Sequence, residues 1–240
     1  MTWQGVLSGS FACTGPARED VPAGTGYSVP IATETGWFAL DSEGQIRTWG
    51  RPWGTLGCGP VDTAAYTAPP LDAGYVRGFS SPRLFAAIKG NGRLVAWGAT
   101  DYIEVLPPTT PGWVADSVVH SQHNGAALDG DGRIAMWGKV PTTSGVATST
   151  PYMGAPIESG YQIIVPSISD FAAVKHDGAI SVFAGRRDTA YFREGAPTGT
   201  GWLTVVANLE AFTAIKMVTG EVHSWGRPSA GGSGHPVDAG

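Results

Sequence analysis

A unit that this chain repeats five times constrains its fold more than any other feature. In each copy, a Gly followed by Tyr or Trp opens a short run of β-forming residues. An apolar run, usually rich in Ala, a turn that contains Gly, and a closing aromatic residue follow. The closing aromatics recur about every 44 residues, a period typical of repeat architectures. They are Trp49, Trp97, Trp137, Phe183 and Trp225.

Each copy is typical of a short β-meander. The turns "SEG", "GNG", "GDG" and "HDG" contain the residues that most readily adopt the positive φ of a tight hairpin. The flanking runs are apolar at nearly every position, which indicates strands that are buried on both faces. Several such strands per unit, with a repeat length of about 44 residues, predict an all-β fold that is a single β-propeller. This single domain covers residues 1–240, with repeat cores at 26–50, 74–98, 112–138, 160–185 and 201–226.

The two ends of the chain indicate how the propeller ring closes. The tail "PVDAG" (236–240) matches "PLDAG" (70–74), which stands just before the aromatic residue of another repeat. The head "WQGVLSGSFACTG" (3–15) loosely imitates the first half of a repeat. We therefore predict five blades in a ring that is closed by the chain ends, since closure removes exposed sheet edges. The alternative is five blades plus a partial sixth.

Composition and charge exclude several functional classes. The formal net charge is −5, and no cluster of Lys and Arg exceeds the pair Arg186–Arg187, so nucleic-acid binding is not expected. Cys13 and Cys58 are more typical of buried thiols than of a disulfide framework. No apolar run approaches the roughly 20 residues that span a bilayer. The head lacks the basic and apolar regions of a secretory signal, so a cytoplasmic location, or export by a signal-independent route, is expected.

The repeat resembles a known family. "AAIKGNGRLVAWG" (86–98), together with "WGRPWGTLG" (49–57), is similar to the repeat of the regulator of chromosome condensation family, in a short style similar to repeats of bacterial proteins. The resemblance implies a β-propeller. Some members act as nucleotide-exchange factors or bind chromatin, through loops and charged faces that have no match here. The His that usually precedes the family's Ala-Leu strand is also replaced by an aromatic.

The aromatics that follow Gly are the candidate ligand site, with one copy per blade. Their rings could stack on sugars, as in a multivalent lectin, or they could pack between blades and set the geometry of the fold. These residues are Tyr27, Tyr75, Trp113, Tyr161 and Trp202.

Other motifs indicate no catalytic or metal site. "HSQH" places His120 and His123 at a spacing that can bind metal, but no third ligand is nearby. "DGDG" (129–132) stands where the other copies have their hairpin turn, so it is interpreted as a turn. No cofactor is implied, and no nucleophile or phosphate-binding motif is present.

The sequence therefore favours a non-enzymatic binding module that presents its inter-blade loops to a protein partner. The alternative is a carbohydrate-binding lectin with one site per blade. An enzyme with a site at the mouth of the propeller channel is the third and weakest hypothesis.

Overall fold

The computed structural model describes residues 21–33, 36–50, 66–100, 103, 105–138, 154–184 and 195–233. Within these residues, sixteen strands form five antiparallel sheets, which we number as blades 1 to 5 in chain order. Blade 1 contains β1 (Ile31–Ala32), β2 (Gly36–Leu40) and β3 (Ile46–Gly50). Blade 2 contains β4 (Tyr66–Thr67), β5 (Tyr75–Ser80), β6 (Leu84–Lys89) and β7 (Leu94–Ala99), paired in the order β4-β7-β6-β5.

The other three blades are three-stranded. Blade 3 contains β8 (Val119–His120), β9 (Asn124–Leu128) and β10 (Ile134–Gly138). Blade 4 contains β11 (Tyr161–Pro166), β12 (Asp170–Lys175) and β13 (Ile180–Ala184), and blade 5 contains β14 (Trp202–Ala207), β15 (Ala211–Lys216) and β16 (Val222–Gly226). In every blade the middle strand of the meander pairs with the strands before and after it. The described residues also include 3-10 helices at Ala115–Ser117 and Pro228–Ala230.

Successive blades pack face to face, because each middle strand is apolar on both sides. We call the side toward the following blade the leading face and the side toward the preceding blade the trailing face. At the junction of blades 4 and 5, Ala172 and Val174 of the leading face pack with Phe212, Ala214 and Trp225 of the trailing face. Three similar clusters join blades 1 and 2, 2 and 3, and 3 and 4.

A stacked aromatic pair lies on the trailing face of four blades. The aromatic of the middle strand lies directly across the ladder from the closing aromatic of the repeat, as in the pair Phe85–Trp97. In blade 3 a Gly takes the middle-strand position, and the Trp137 ring fills the space that a Cβ at Gly125 would enter. The closing aromatics of the repeat are therefore core residues in blades 2 to 5.

The predicted all-β propeller with five blades is confirmed. Its closure by the chain ends involves residues 1–20 and 234–240, which lie outside the described residues, as do Cys13 and Cys58. Closure, the partial sixth blade and the extent of the single domain therefore stay predictions.

Candidate functional site: the latch end of the blades

A pair of backbone hydrogen bonds joins each blade to the next. The N–H groups of a Gly–aromatic dipeptide donate to two carbonyls in the hairpin turn of the preceding blade. Between blades 4 and 5, Gly201 donates to Asp177 over 2.8 Å and Trp202 donates to Gly178 over 3.2 Å. We call this pair of bonds a latch, and the end of the blades that carries it the latch end. The other latches join Gly74 and Tyr75 to Glu43 and Gly44, Gly112 and Trp113 to Asn91 and Gly92, and Gly160 and Tyr161 to Asp131 and Gly132.

The latch explains why the turn needs Gly. Gly178 has a φ of +83°, a conformation that costs other L-residues roughly 1 kcal/mol or more. A Cβ at this position would also lie 2.5 Å from the backbone nitrogen of Trp202, too close for any real contact. The repeated Gly turn and the repeated Gly–aromatic dipeptide are therefore the two halves of one joint.

Three of the five candidate aromatics are buried beside their latches. Tyr75, Tyr161 and Trp202 belong to the inter-blade clusters, and each of these residues is at most 3% exposed. A Lys ammonium lies 4.9–5.0 Å from the centre of each ring, close enough for a cation–π contact. In these positions the rings are covered by protein, so a sugar could stack on them only after that cover opened.

The other two candidate aromatics are half-buried. Trp113 packs against the cluster between blades 2 and 3. The Tyr27 hydroxyl donates to the carbonyl of Ala23 over 3.0 Å. The structure thus places four of the five aromatics at latches, and Tyr27 heads blade 1, whose Gly–aromatic dipeptide makes no latch with the described residues.

Tyr75 also belongs to a small polar network at the latch end. Its hydroxyl donates to the Asp72 carboxylate over 2.7 Å, and the Lys89 ammonium donates to the same carboxylate over 2.6 Å. The Lys89 hydrogen bond is the main cause that lowers the pKa of Asp72, while burial is the main cause that raises the pKa of Tyr75. This network holds the loop before β5. It leaves Asp72 ionised and Tyr75 neutral at neutral pH.

A β-bulge next to the latch exposes one side chain in each of three blades. The register of the first strand shifts directly after Tyr75, Tyr161 and Trp202, so the next residue has no partner across the ladder. That residue is Val76 in blade 2, Gln162 in blade 4 and Leu203 in blade 5. In blade 3, Val114 takes the equivalent place after Trp113. The three aliphatic side chains are between 41% and 61% exposed. Sequence reasoning missed them, although their position after the Gly–aromatic dipeptide identifies them.

His120 lies at the other end of blade 3, between two aromatic rings. Its ring centre is 5.5 Å from that of Trp137 and 6.2 Å from that of Phe79. Its Nε2 is shielded from solvent and has no hydrogen-bond partner among the described residues, and burial lowers the pKa of His120 to about 4. The described residues include no group of three or more His, Cys, Asp or Glu side chains placed to hold a metal ion.

The fold is similar to solved β-propellers. The structure of Prp20p from Saccharomyces cerevisiae, described with its binding properties to Gsp1p and histones, matches with a TM-score of 0.52 and 16% identity over 82% of this chain and 57% of that one. The CRINKLY WD40 ectodomain of the Arabidopsis thaliana receptor kinase ACR4 matches with a TM-score of 0.50 and 15% identity, over 83% of this chain and 63% of that one. This chain thus spans less than two thirds of either structure.

Since Prp20 is the yeast RCC1, the resemblance to regulator-of-chromosome-condensation repeats is confirmed for the fold. No protein-family model matches the sequence. None of the curated proteins matches it significantly. Within the described part of the chain, no helix has the length and apolar character needed to cross a membrane.

Proposed function

We propose that this protein is a non-enzymatic binding scaffold that docks a protein partner on the latch end of its blades. The observation that carries the proposal is the set of exposed aliphatic side chains directly after the Gly–aromatic dipeptide, Val76, Val114 and Leu203. Apolar side chains that several repeats present at one end form a surface that suits an apolar patch on another protein.

The latch fixes the backbone next to these side chains. Leu203 directly follows Trp202, whose backbone is bonded to the turn of blade 4 and whose ring is buried. Val76 follows Tyr75, which is held in the same way. A partner that binds such residues loses little conformational freedom in the scaffold, which favours affinity.

Charged groups surround the apolar positions, as in the rim of an ordinary protein interface. Lys89, Lys175 and Lys216 lie next to the latches, and Asp72 and Glu221 pair with two of them. The mixture of both signs suits a protein surface better than a polyanion. The reported binding of Prp20p to Gsp1p and histones supports the proposal by analogy of fold.

The lectin alternative has weaker support, because the rings of Tyr75, Tyr161 and Trp202 are covered. A glycan array is therefore the control arm of the test.

The test compares two exposed leucines, one near the start of β14 and one just beyond its end. A photo-crosslinking amino acid is placed at Leu203 or, as the matched control, at Leu209, and the chain is expressed in its native host. We expect one protein to crosslink from position 203 and not from position 209. That protein is then purified, and Leu203→Asp combined with Val76→Asp should weaken its binding at least tenfold, with no change in the melting temperature of the scaffold.

Equal crosslinking at both positions, or full binding by the double variant, would overturn the docking surface. Binding of a glycan with no protein crosslinked would replace the proposal with the lectin alternative.

A further inference from the structure

Blade 5 carries half of a latch that no described residue completes. Gly220 precedes Val222 by two positions, as Gly178 precedes Ile180 in blade 4, in a turn that is one residue longer. Its φ of +70° is close to those of the latched turns. A Cβ at Gly220 would nevertheless have nothing within 4 Å, whereas each of the four latched turn glycines faces the backbone of the next blade at 2.7 Å or less. The turn of blade 5 therefore has the backbone conformation of a latched turn, and no described residue lies in place to complete the latch.

Blade 1 carries the other half. Gly26 has a φ of +85°, close to the +87° of Gly74 and the +85° of Gly201, which are both latched. No backbone bond joins the N–H groups of Gly26 and Tyr27 to a hairpin turn within the described part of the chain. Both halves of a fifth latch are thus present, in the right backbone conformation and apart.

The trailing face of blade 1 carries an exposed aromatic side chain where other blades have a buried one. Trp37 and Trp49 face each other across the ladder and stack at 6.4 Å, as the aromatic pairs of other blades do. Trp37 is 45% exposed, whereas its counterparts Phe85, Phe171 and Phe212 are at most 1% exposed.

The leading face of blade 5 is also uncovered. Ile215 is 37% exposed, whereas the counterparts in the other four blades are at most 5% exposed; these are Leu40, Ile88, Leu128 and Val174. Val206, on the same face, is 61% exposed. Thr213 and Ser224 stand on this face where blade 4 has Ala172 and Val182, and their hydroxyls bond each other over 2.9 Å. Because these hydroxyls satisfy each other, another surface can cover them at low cost.

We propose that a second copy of this chain covers these faces, with the leading face of blade 5 in one copy packed on the trailing face of blade 1 in the next. Gly26 and Tyr27 of one copy would donate to the carbonyls of Thr219 and Gly220 of the other. The contact continues an interface that the chain already builds four times, with the same elements on each side.

A second copy would cover both faces with the same elements that form the four internal junctions. The contact is head to tail. An open assembly therefore keeps one free leading face and one free trailing face at its two ends, and only a closed ring covers both. On the leading face of blade 5, Thr204, Thr213 and Ser224 carry hydroxyls. Association through this face should therefore be reversible and weaker than the internal junctions.

Sedimentation velocity over a concentration series tests the proposal. The wild-type chain should gain mass as its concentration rises. Ile215→Asp should block the leading face and Trp37→Asp the trailing face, so each variant alone should be monomeric. An equimolar mixture of the two should form dimers and nothing larger, because each variant keeps one intact face. Leu209→Asp, which changes an exposed leucine outside both faces, should associate like the wild type.

A wild-type chain that stays monomeric throughout the series would overturn the proposal. If Trp37 is also protected from a small fluorescence quencher in that monomer, the cover comes from the chain's own ends, as predicted from the sequence. Dimers formed by either variant alone would overturn the head-to-tail arrangement. Trp37→Ser and Val206→Lys replace any variant that fails to fold.

Discussion

The aromatic pairs of blades 1 and 5 have the same place in the repeat and opposite surroundings. Phe212 and Trp225 stack at 5.4 Å in the core between blades 4 and 5, and Trp37 and Trp49 stack at 6.4 Å on a face where Trp37 is 45% exposed. Each pair lies directly across its ladder. The repeat therefore specifies the pair, and the neighbouring blade decides whether the pair stabilises a core or presents a surface.

Removing one aromatic from each pair should give the largest contrast. Phe212→Ala empties a fully buried site and should lower the free energy of unfolding by about 4 kcal/mol. Trp37→Ala removes a half-exposed ring and should cost about 1 kcal/mol at concentrations where the chain is monomeric. Urea unfolding followed by far-UV circular dichroism measures both. Equal losses would mean that the face of blade 1 is covered in solution.

A smaller contrast should separate the closed latch from the open one. Gly178→Ala adds a Cβ 2.5 Å from the backbone of blade 5 and should cost about 3 kcal/mol, from strain and displacement together. Gly220→Ala has the same backbone strain without the contact and should cost about 1 kcal/mol. The difference between their unfolding midpoints in urea measures the cost of a Cβ at the closed latch. If both substitutions cost the same, the close approach at Gly178 is not a source of stability.

A further effect concerns pH at the junction of blades 2 and 3. Burial holds the pKa of His120 at about 4 in the folded chain, below the 6.5 of an ordinary His. The unfolded chain therefore binds the proton first, and stability present above pH 6.5 is lost as the pH falls toward 4. Between pH 7 and pH 5 the wild type should lose about 2 kcal/mol through this group.

His120→Phe keeps a ring between Phe79 and Trp137 and removes the titrating group. The pH dependence of its unfolding free energy should be flatter than that of the wild type by the same amount. A variant that parallels the wild type across this range would show that His120 takes up its proton without opening the junction.

Much of the blade structure could be predicted from the sequence, because its causes are local. Gly-containing turns and continuous apolar runs placed the middle and third strands of each repeat, where Ala86 and Ala87 allow close packing on opposite faces. Blade 3 shows the limit. Its first strand is only Val119–His120, because a 3-10 helix stands where the other blades have the start of that strand. The alternation of residue types does not indicate this helix.

The candidate site was harder to predict because it depends on relations between repeats. Spacing identified Tyr75, Tyr161 and Trp202 as a repeated set, and the choice between a sugar platform and packing stayed open. Their burial depends on the blade before them, and the outward direction of Val76 and Leu203 depends on a register shift. Neither can be read from one repeat alone.

The latch joins neighbouring blades through backbone atoms on both sides. The latch bonds themselves use main-chain atoms only, so the turn residue before the Gly can differ from blade to blade, as Glu43, Asn91, Asp131 and Asp177 illustrate. A duplicated repeat would therefore carry both halves of a latch, the Gly–aromatic dipeptide and the Gly turn. A gene for such a chain can lengthen or shorten by whole units with few compensating substitutions, so blade number is a quantity that this architecture leaves open to evolution.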